Sequence, residues 1–264
     1  GQPLGTFYGT DWVRCRYNVA DADNFQATSL GESTDVNALC RAANAPNGSL
    51  FVDTTGFPIQ DPANRVLGDP NPDWISGIRN VFTIYRKFQI STLIDIKKGG
   101  ANWNGTRLAL QRFGTYANTA ARATCDENLV CTGNEQEFGV TMEKSPGVVG
   151  PGKGMKVPVG QNWWQAGLGN NFNGPTGQGV EDAGYVKLRE ISAAYTWESA
   201  RVRDLTGFTS IEFRLAARNL RTWTDYSGVD PETNLEGSYG IGRGQDYFNN
   251  PQTRSLVFSI NLTH

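Results

Sequence analysis

The stretch "EDAGYVKLREISAAYTW" (residues 181–197) decides the fold, because it combines the features of two kinds of β-sheet. Its large side chains suit a strand with one face against apolar surroundings. These large side chains belong to Tyr185, Ile191, Tyr195 and Trp197. Three charged residues, Lys187, Arg189 and Glu190, lie in the middle of the same strand, where a core buried on both faces would not accept them. One face of this strand is therefore expected to be apolar and the other wet.

The apolar alternation in this strand changes phase once. Val186 and Leu188 are out of step by one residue with the apolar positions that begin at Ile191. A β-bulge at Arg189–Glu190 inserts one extra residue and restores a single apolar face. The opposite face then carries small or polar residues, with the bulge charges nearby. These residues are Lys187, Ser192, Ala194 and Thr196.

Other segments alternate with period two and predict further strands. They are 74–85, 88–97, 210–219 and 255–264. With residues 185–197 they give five strands, part of a sixth is expected near residues 1–9, and we expect no amphipathic helix. "YRKF" (85–88) is a tight turn, whereas 99–182 and 222–251 are long and rich in Gly, Asn and Pro. Short turns that alternate with long loops are typical of an outer-membrane β-barrel, with a soluble all-β protein as the alternative.

Composition argues against several functions. The chain has 264 residues, a net charge of −2 and one histidine, His264. Nucleic-acid binding needs a basic surplus, so we expect no nucleic-acid partner. With so little histidine, we expect no catalytic triad, no cofactor and no metal site. The carboxylates Asp230 and Glu232 could in principle suit glycosidic chemistry, but we interpret them as turn-forming or solvated residues.

The ends and the hydropathy of the chain give two further expectations. No apolar run approaches the 18 or more residues of a membrane-spanning helix. Gly1 begins without a basic segment or an apolar run, which predicts a mature or truncated product without a signal peptide.

The four cysteines fall into two local pairs in polar, loop-like sequence, Cys15 with Cys40 and Cys125 with Cys131. Metal binding is the competing interpretation, but neither pair has CxxC spacing and no histidine lies nearby. We therefore favour two disulfides and an oxidising compartment. Closing the longer loop would stabilise the fold by roughly 3 kcal/mol in the chain-entropy model.

"QNWWQAGLGNNFNGPTG" (161–177) is the best candidate for ligand contact. Asn162, Trp163 and Trp164 lie there among Gln and Gly, and such groups suit stacking on, and hydrogen bonding to, sugars or peptides. The alternative is a loop that packs on its own aromatic side chains.

Six motifs in order resemble one family. They are "GQPLGTFYG" (1–9), "RVLGDPNPDWISGI" (65–78), "YRKFQISTLIDIKKGG" (85–100), "DAGYVKLREISAAYTW" (182–197), "LAARNLRTWTDYSGVDPE" (215–232) and "YFNNPQTRSLVFSINLTH" (247–264). Their order and spacing resemble the C-terminal portion of the SusC/RagA-like TonB-dependent outer-membrane transporters. An acidic turn common in that family is reduced here to Asp53 and Asp61, so no metal is assigned to it.

The resemblance implies a fold, a function and partners. The fold is all-β: residues 1–264 form five to six antiparallel strands of a larger transmembrane barrel with long extracellular loops. The plug domain and N-terminal strands are expected to be absent from the chain, since bare sheet edges are not tolerated in hydrocarbon. The implied function is import of oligosaccharides or peptides across the outer membrane of a Gram-negative bacterium.

The implied partners are the remaining plug and barrel, a SusD-like lipoprotein, the TonB complex and outer-membrane lipid. The charged residues expected to face the lumen are Lys187, Arg189, Glu190, Glu212, Arg214 and Arg218. The competing hypothesis is a secreted or surface-exposed structural or adhesive β-sheet protein derived from a barrel C-terminus. A glycosidase is a more distant third.

Overall fold

A computed structural model describes most of the chain. The described residues are 1–15, 38, 40–41, 48, 50–51, 57–120, 124–125, 131–132, 135–137, 156–158, 160–161, 163–168, 174–237 and 242–264. The chain divides into two compact units, which we treat separately. The first comprises Gly1–Gly5, Asp69–Asn102 and Glu181–His264, and the second comprises Thr6–Gly68 and Trp103–Val180.

Strands dominate the described residues. They are β1 (Phe7–Trp12), β2 (Gln60–Gly68), β3 (Trp74–Ile84), β4 (Phe88–Lys98), β5 (Ala101–Asn104), β6 (Thr124–Cys125), β7 (Cys131–Thr132), β8 (Glu135–Glu137), β9 (Lys156–Pro158), β10 (Val180–Asp182), β11 (Tyr185–Trp197), β12 (Ser210–Trp223), β13 (Gln245–Asp246) and β14 (Ser255–Thr263). The α-helices are α1 (Gly105–Phe113) and α2 (Ala200–Thr206). No helix among the described residues combines the length and the apolar character needed to cross a membrane.

The main sheet of the first unit has five antiparallel strands in the order β14-β12-β11-β4-β3. Its strands are the five that the alternation predicts, with ends that differ by a few residues. Cross-strand pairing aligns the apolar positions into rows that cross all five strands. One row consists of Phe82, Ile90, Ala193, Leu215 and Phe258. The sheet therefore has one continuous apolar face, and the prediction of an antiparallel all-β fold is confirmed.

The predicted bulge lies at Arg189. Leu188 pairs with Ile94 and Glu190 pairs with Leu93, so Arg189 has no opposite residue on β4. The same residue interrupts the pairing with β12. The insertion keeps Val186 and Leu188 on the face of the later apolar residues of β11, as expected.

Burial in this sheet is the reverse of that in a soluble protein. On the apolar face, the large side chains of Phe82, Leu215 and Phe258 are 61%, 47% and 62% exposed. On the other face, the central small side chains are buried. They are Ser91, Ser192, Ala194 and Ala216. The Oγ atoms of Ser91 and Ser192 form a hydrogen bond of 2.9 Å across the strands. The apolar face is thus open, whereas the middle of the opposite face is buried.

A tight turn of three residues, Tyr85 to Lys87, joins β3 to β4. Tyr85 and Arg86 both have positive φ, at 49° and 57°, and the Lys87 amide donates to the Ile84 carbonyl. This backbone twist matches that of the paired strands, which is why such turns predominate in tight hairpins.

Two short helices are present, although no amphipathic helix was expected. In α1, the Asn104 side chain accepts a hydrogen bond from the Arg107 amide, and Gly114 ends the helix with φ 69°. In α2, Ser199 accepts from the Val202 amide and Gly207 ends the helix with φ 76°. Each helix therefore begins and ends with standard cap residues.

The second unit contains the antiparallel pair β1 and β2. Cys15 and Cys40 form a disulfide there, as predicted, and both cysteines are buried. Cys125 and Cys131 face each other across the β6–β7 pair. Their side chains lie outside the described residues, so the second disulfide stays a prediction.

Candidate functional site: the polar face and its ion-pair network

The charged residues expected to face the lumen do not lie on the apolar face of the sheet. Arg189 is the bulge residue, and the pairing register places the others opposite the apolar rows. They are Lys187, Glu190, Glu212, Arg214 and Arg218.

Lys187 is the most buried of these charges, with 4% of its surface exposed. Its Nζ atom donates to Asp230 Oδ1 and to Glu232 Oε2, each at 2.6 Å. The cation also lies 5.0 Å from the centre of the Tyr185 ring. A buried ammonium is tolerated only when it is paired and hydrogen-bonded, and these three contacts meet that condition.

Arg189 extends the network because the bulge turns it toward other acceptors. Its Nε atom donates to Asp95 Oδ2 at 2.5 Å, and its guanidinium also pairs with Glu232 Oε1. A third bond reaches Gln252 Oε1 at 2.9 Å. Arg189 of β11 thus links strand β4 to the loop between β12 and β14.

Asp230 and Glu232 hold that connection in place. Asp230 accepts from the Glu232 amide at 3.0 Å through Oδ1, and from the Gln252 amide at 3.1 Å through Oδ2. Glu232 Oε1 accepts from the Tyr185 hydroxyl at 2.6 Å. We call the group Asp95, Tyr185, Lys187, Arg189, Asp230, Glu232 and Gln252 the β11 network.

The electrostatics of Glu232 follow from these contacts. Burial alone would raise the pKa of its carboxyl group, but hydrogen bonds from Arg189, Lys187 and Tyr185 favour the charged form. The balance lowers the pKa of Glu232 from 4.5 to about 2. Glu232 is therefore an ionised acceptor at neutral pH, suited to fixing a loop and unsuited to donating a proton in catalysis.

The remaining predicted charges form more open pairs. Arg218 Nε lies 2.9 Å from Glu190, and Arg214 Nε lies 3.4 Å from Glu212. The Arg218 side chain is 55% exposed. Exposed ion pairs contribute from nothing to about 1 kcal/mol to stability. The main stabilisation on this face is therefore expected from the ion pairs of Lys187 and Arg189.

The predicted ligand loop has a different environment, in the second unit. Trp163 and Trp164 are both 5% exposed, and their rings pack edge to face at 5.2 Å. Asn162 lies outside the described residues. The burial of both rings favours packing over stacking on a ligand, and ligand contact at these positions stays a prediction.

Sequence reasoning missed the part of the network that lies in loops. Asp230 and Glu232 were interpreted as turn residues, and Asp95 and Gln252 were not singled out. A signal was present, because anions are one way to satisfy two cations inside one strand, and the stretch "GVDPE" (228–232) supplies two. Nothing in the local sequence, however, indicated that residues 228–232 contact Lys187 and Arg189.

A sheet with an open apolar face and polar, ion-paired residues on the opposite face has the pattern of outer-membrane β-barrel sheets. No family model matches the chain. It is 25% identical over 267 residues to TonB-dependent receptor P3 of Formosa agariphila, covering 99% of this chain and 22% of that protein. It is 27% identical over 92 residues to TonB-dependent receptor P26 of the same organism, covering 34% and 9%.

Among solved structures, the RagAB peptide importer in its closed-closed state matches with a TM-score of 0.51 and 14% identity. That match covers 97% of this chain and 23% of the solved one, and it concerns the fold. The predicted resemblance to TonB-dependent receptors is thus confirmed over nearly the whole chain, and the fold resembles that of the RagAB importer. The chain spans 22% of the length of receptor P3.

Proposed function

We propose that this chain forms the C-terminal part of the β-barrel of a TonB-dependent transporter in the outer membrane of a Gram-negative bacterium. The plug domain and the N-terminal strands belong to the rest of that transporter. Its substrates are oligosaccharides or peptides, captured with a SusD-like lipoprotein and imported with energy from the TonB complex. The chain contributes barrel wall, a polar lumen surface and outer loops, and it performs no enzymatic step.

The single observation that carries this proposal is the reversed burial of the five-stranded sheet. Soluble monomers rarely expose contiguous apolar patches of more than a few hundred Å². Here apolar rows run across all five strands, and their large side chains are exposed on most of them. Hydrocarbon is the environment that makes such a face favourable.

The dimensions of the apolar face fit a bilayer. Tyr195 and Trp197 lie at one end of β11, and Trp223 pairs with Val186 at the other end. Val186 and Tyr195 pair with Ile96 and Phe88, so eight regular residue steps, about 27 Å, separate them along the strand. A strand tilt of about 40° reduces this to about 21 Å, comparable with the ~25 Å apolar band between the aromatic girdles of outer-membrane barrels.

The polar face supports the assignment of the lumen. Lys187 and Arg189 lie on this side and are neutralised by carboxylates of the chain itself, as expected beside water-filled space. The β11 network fixes the connection between β12 and β14 against the polar surface. In a transporter, this contact would keep that loop from moving freely in the passage.

Leu93 and Ile94 provide a matched test, because they are adjacent in β4 and lie on opposite faces. A nitroxide label would be attached to Leu93→Cys or Ile94→Cys in the full-length receptor in lipid bilayers. We expect the label at 94 to collide mainly with oxygen, which partitions into hydrocarbon. The label at 93 should collide mainly with a water-soluble nickel complex. Equal collision profiles at both sites would contradict the membrane assignment.

The transport step needs a separate measurement. Cells that lack the receptor gene should lose energised uptake of labelled oligosaccharides or peptides, and the intact gene should restore it. A protonophore should abolish the restored uptake, because TonB couples to the proton gradient. Recovery of the native chain as a detergent-free soluble protein would instead support the secreted or surface-exposed alternative.

A further inference from the structure

A cavity of about 470 Å³ lies in the first unit beside the β11 network. Its lining includes Lys97, which pairs with Tyr185 and Ile75 on the polar side of the sheet. Pro70, Pro72 and Pro231 also line it, so two of the proline-containing motifs meet there. Its volume is within the range of 300–1,000 Å³ common for small-molecule sites.

Two of the lining residues, Lys97 and Arg243, are cations. The acidic residue in the lining, Glu232, is hydrogen-bonded by Lys187, Arg189 and Tyr185. Glu232 and Asp182 also act electrostatically on Lys97, but within the described part of the chain neither Lys97 nor Arg243 forms an ion pair. Arg243 makes one long hydrogen bond of 3.4 Å to Asn71 Oδ1. Both cations can therefore still bind an incoming anion.

The same lining contains a buried acceptor. Asn234 Nδ2 donates to the Gly237 carbonyl at 2.6 Å, but the Oδ1 atom of Asn234 is buried and accepts no hydrogen bond from the residues that the structure describes. Such an acceptor is unfavourable unless a ligand or a water molecule supplies an O–H or N–H group. A fitting ligand would combine an anionic group with a nearby donor.

We propose that this cavity binds an acidic sugar residue of an imported oligosaccharide. Lys97 and Arg243 bind its carboxylate, and Asn234 Oδ1 accepts a hydrogen bond from a ring hydroxyl. A uronic acid carries both groups on one ring, and the prolines offer apolar surface to its C–H face. This inference rests on the proposed transport function and narrows its substrate class from oligosaccharides or peptides to acidic oligosaccharides.

The experiment uses the full-length receptor in detergent and calorimetric titration with three probes. They are a galacturonic acid tetrasaccharide, its methyl-esterified neutral counterpart, and an acidic pentapeptide. Lys97→Gln and Arg243→Gln are each expected to weaken binding of the tetrasaccharide about tenfold, since each removes one charge-assisted contact. Binding of the neutral ester should change less than twofold. Lys98→Gln is the control, because Lys98 is the next residue along β4 and is absent from the lining.

Several outcomes would overturn the inference. Equal binding of acid and ester by the wild-type receptor would remove the role of the cations. A preference for the pentapeptide would remove the assignment to sugars, and an equal loss in Lys98→Gln would show a non-specific charge effect. In each case energised uptake by cells that carry the receptor tests the transport function independently. Absence of both binding and uptake would reject the two proposals together.

Discussion

Glu232→Gln is the most informative perturbation of the β11 network, because it removes one charge and keeps the shape of the side chain. Lowering the pKa of Glu232 from 4.5 to about 2 corresponds to about 3 kcal/mol in favour of the charged form. The side chain is 20% exposed, so solvent screening reduces this to about 2–3 kcal/mol. Breaking a buried pair costs a similar amount, about 3–5 kcal/mol.

The expected effect is local opening of the loop between β12 and β14. Asp230 would still hold the Gln252 amide, but Arg189 would lose one of its two carboxylates. A loss of 2–3 kcal/mol raises the open population about 30- to 150-fold. Hydrogen exchange of the full-length receptor in lipid nanodiscs measures this directly in peptides from residues 226–252. The strand 255–263 serves as an internal reference.

Glu190→Gln is the matched control, because the carboxylate of Glu190 pairs with the largely exposed Arg218. This substitution should change the free energy of loop opening by less than about 1 kcal/mol. Exchange in 226–252 within threefold of wild type after Glu232→Gln would refute the role of the network. An equal rise in 255–263 would show that the substitution destabilises the whole sheet instead of releasing one loop.

Three further predictions concern pH, the apolar face and the disulfide. Because the folded-state pKa of Glu232 is lowered, the stabilisation that its carboxylate gives to the loop is complete above about pH 4.5 and is lost as the pH falls toward 2. Hydrogen-exchange protection of this loop, corrected for intrinsic exchange rates, should therefore be constant from pH 8 to pH 5. Ile94→Lys should destabilise the barrel in lipid by about 2–4 kcal/mol more than Leu93→Lys, as measured by urea-dependent folding into bilayers. Replacing Cys15 and Cys40 by Ser should lower the free energy of unfolding of the second unit by about 3 kcal/mol, seen as faster cleavage by a protease in limited digestion.

The sequence was sufficient to predict the main sheet, because its strands alternate with period two and register follows the apolar face. The phase change within residues 185–197 was enough to locate the bulge at Arg189. These are local properties of the chain. They need no knowledge of which segments meet in space.

The helices were missed although their caps are readable in the sequence. Asn104 and Gly114 bracket α1, and Ser199 and Gly207 bracket α2. Apolar periodicity was the criterion, and helices of nine and seven residues are shorter than the window in which a 3.6-residue pattern can be recognised. A search for a cap residue followed after seven to nine residues by glycine would have indicated both helices.

The β11 network was missed for a different reason. The contact between Lys187 and Asp230 joins residues 43 positions apart, and no local pattern specifies that pairing. Two cations in the middle of a strand did predict a polar environment, but water would have satisfied them equally well. Only the fold shows that carboxylates of the same chain contact these two cations.

The choice between a membrane barrel and a soluble sheet depends on which face the chain itself covers. A soluble β protein would use its connections to bury the apolar rows. Here the connection between β12 and β14 contacts the opposite face, where Asp230 and Glu232 bind Lys187 and Arg189. The apolar rows that include Leu215 therefore need an apolar environment from outside the chain. The sheet edges β3 and β14 need paired strands if that environment is hydrocarbon, because unpaired backbone groups are costly there. The proposed arrangement, a larger barrel in a bilayer, would meet both requirements together.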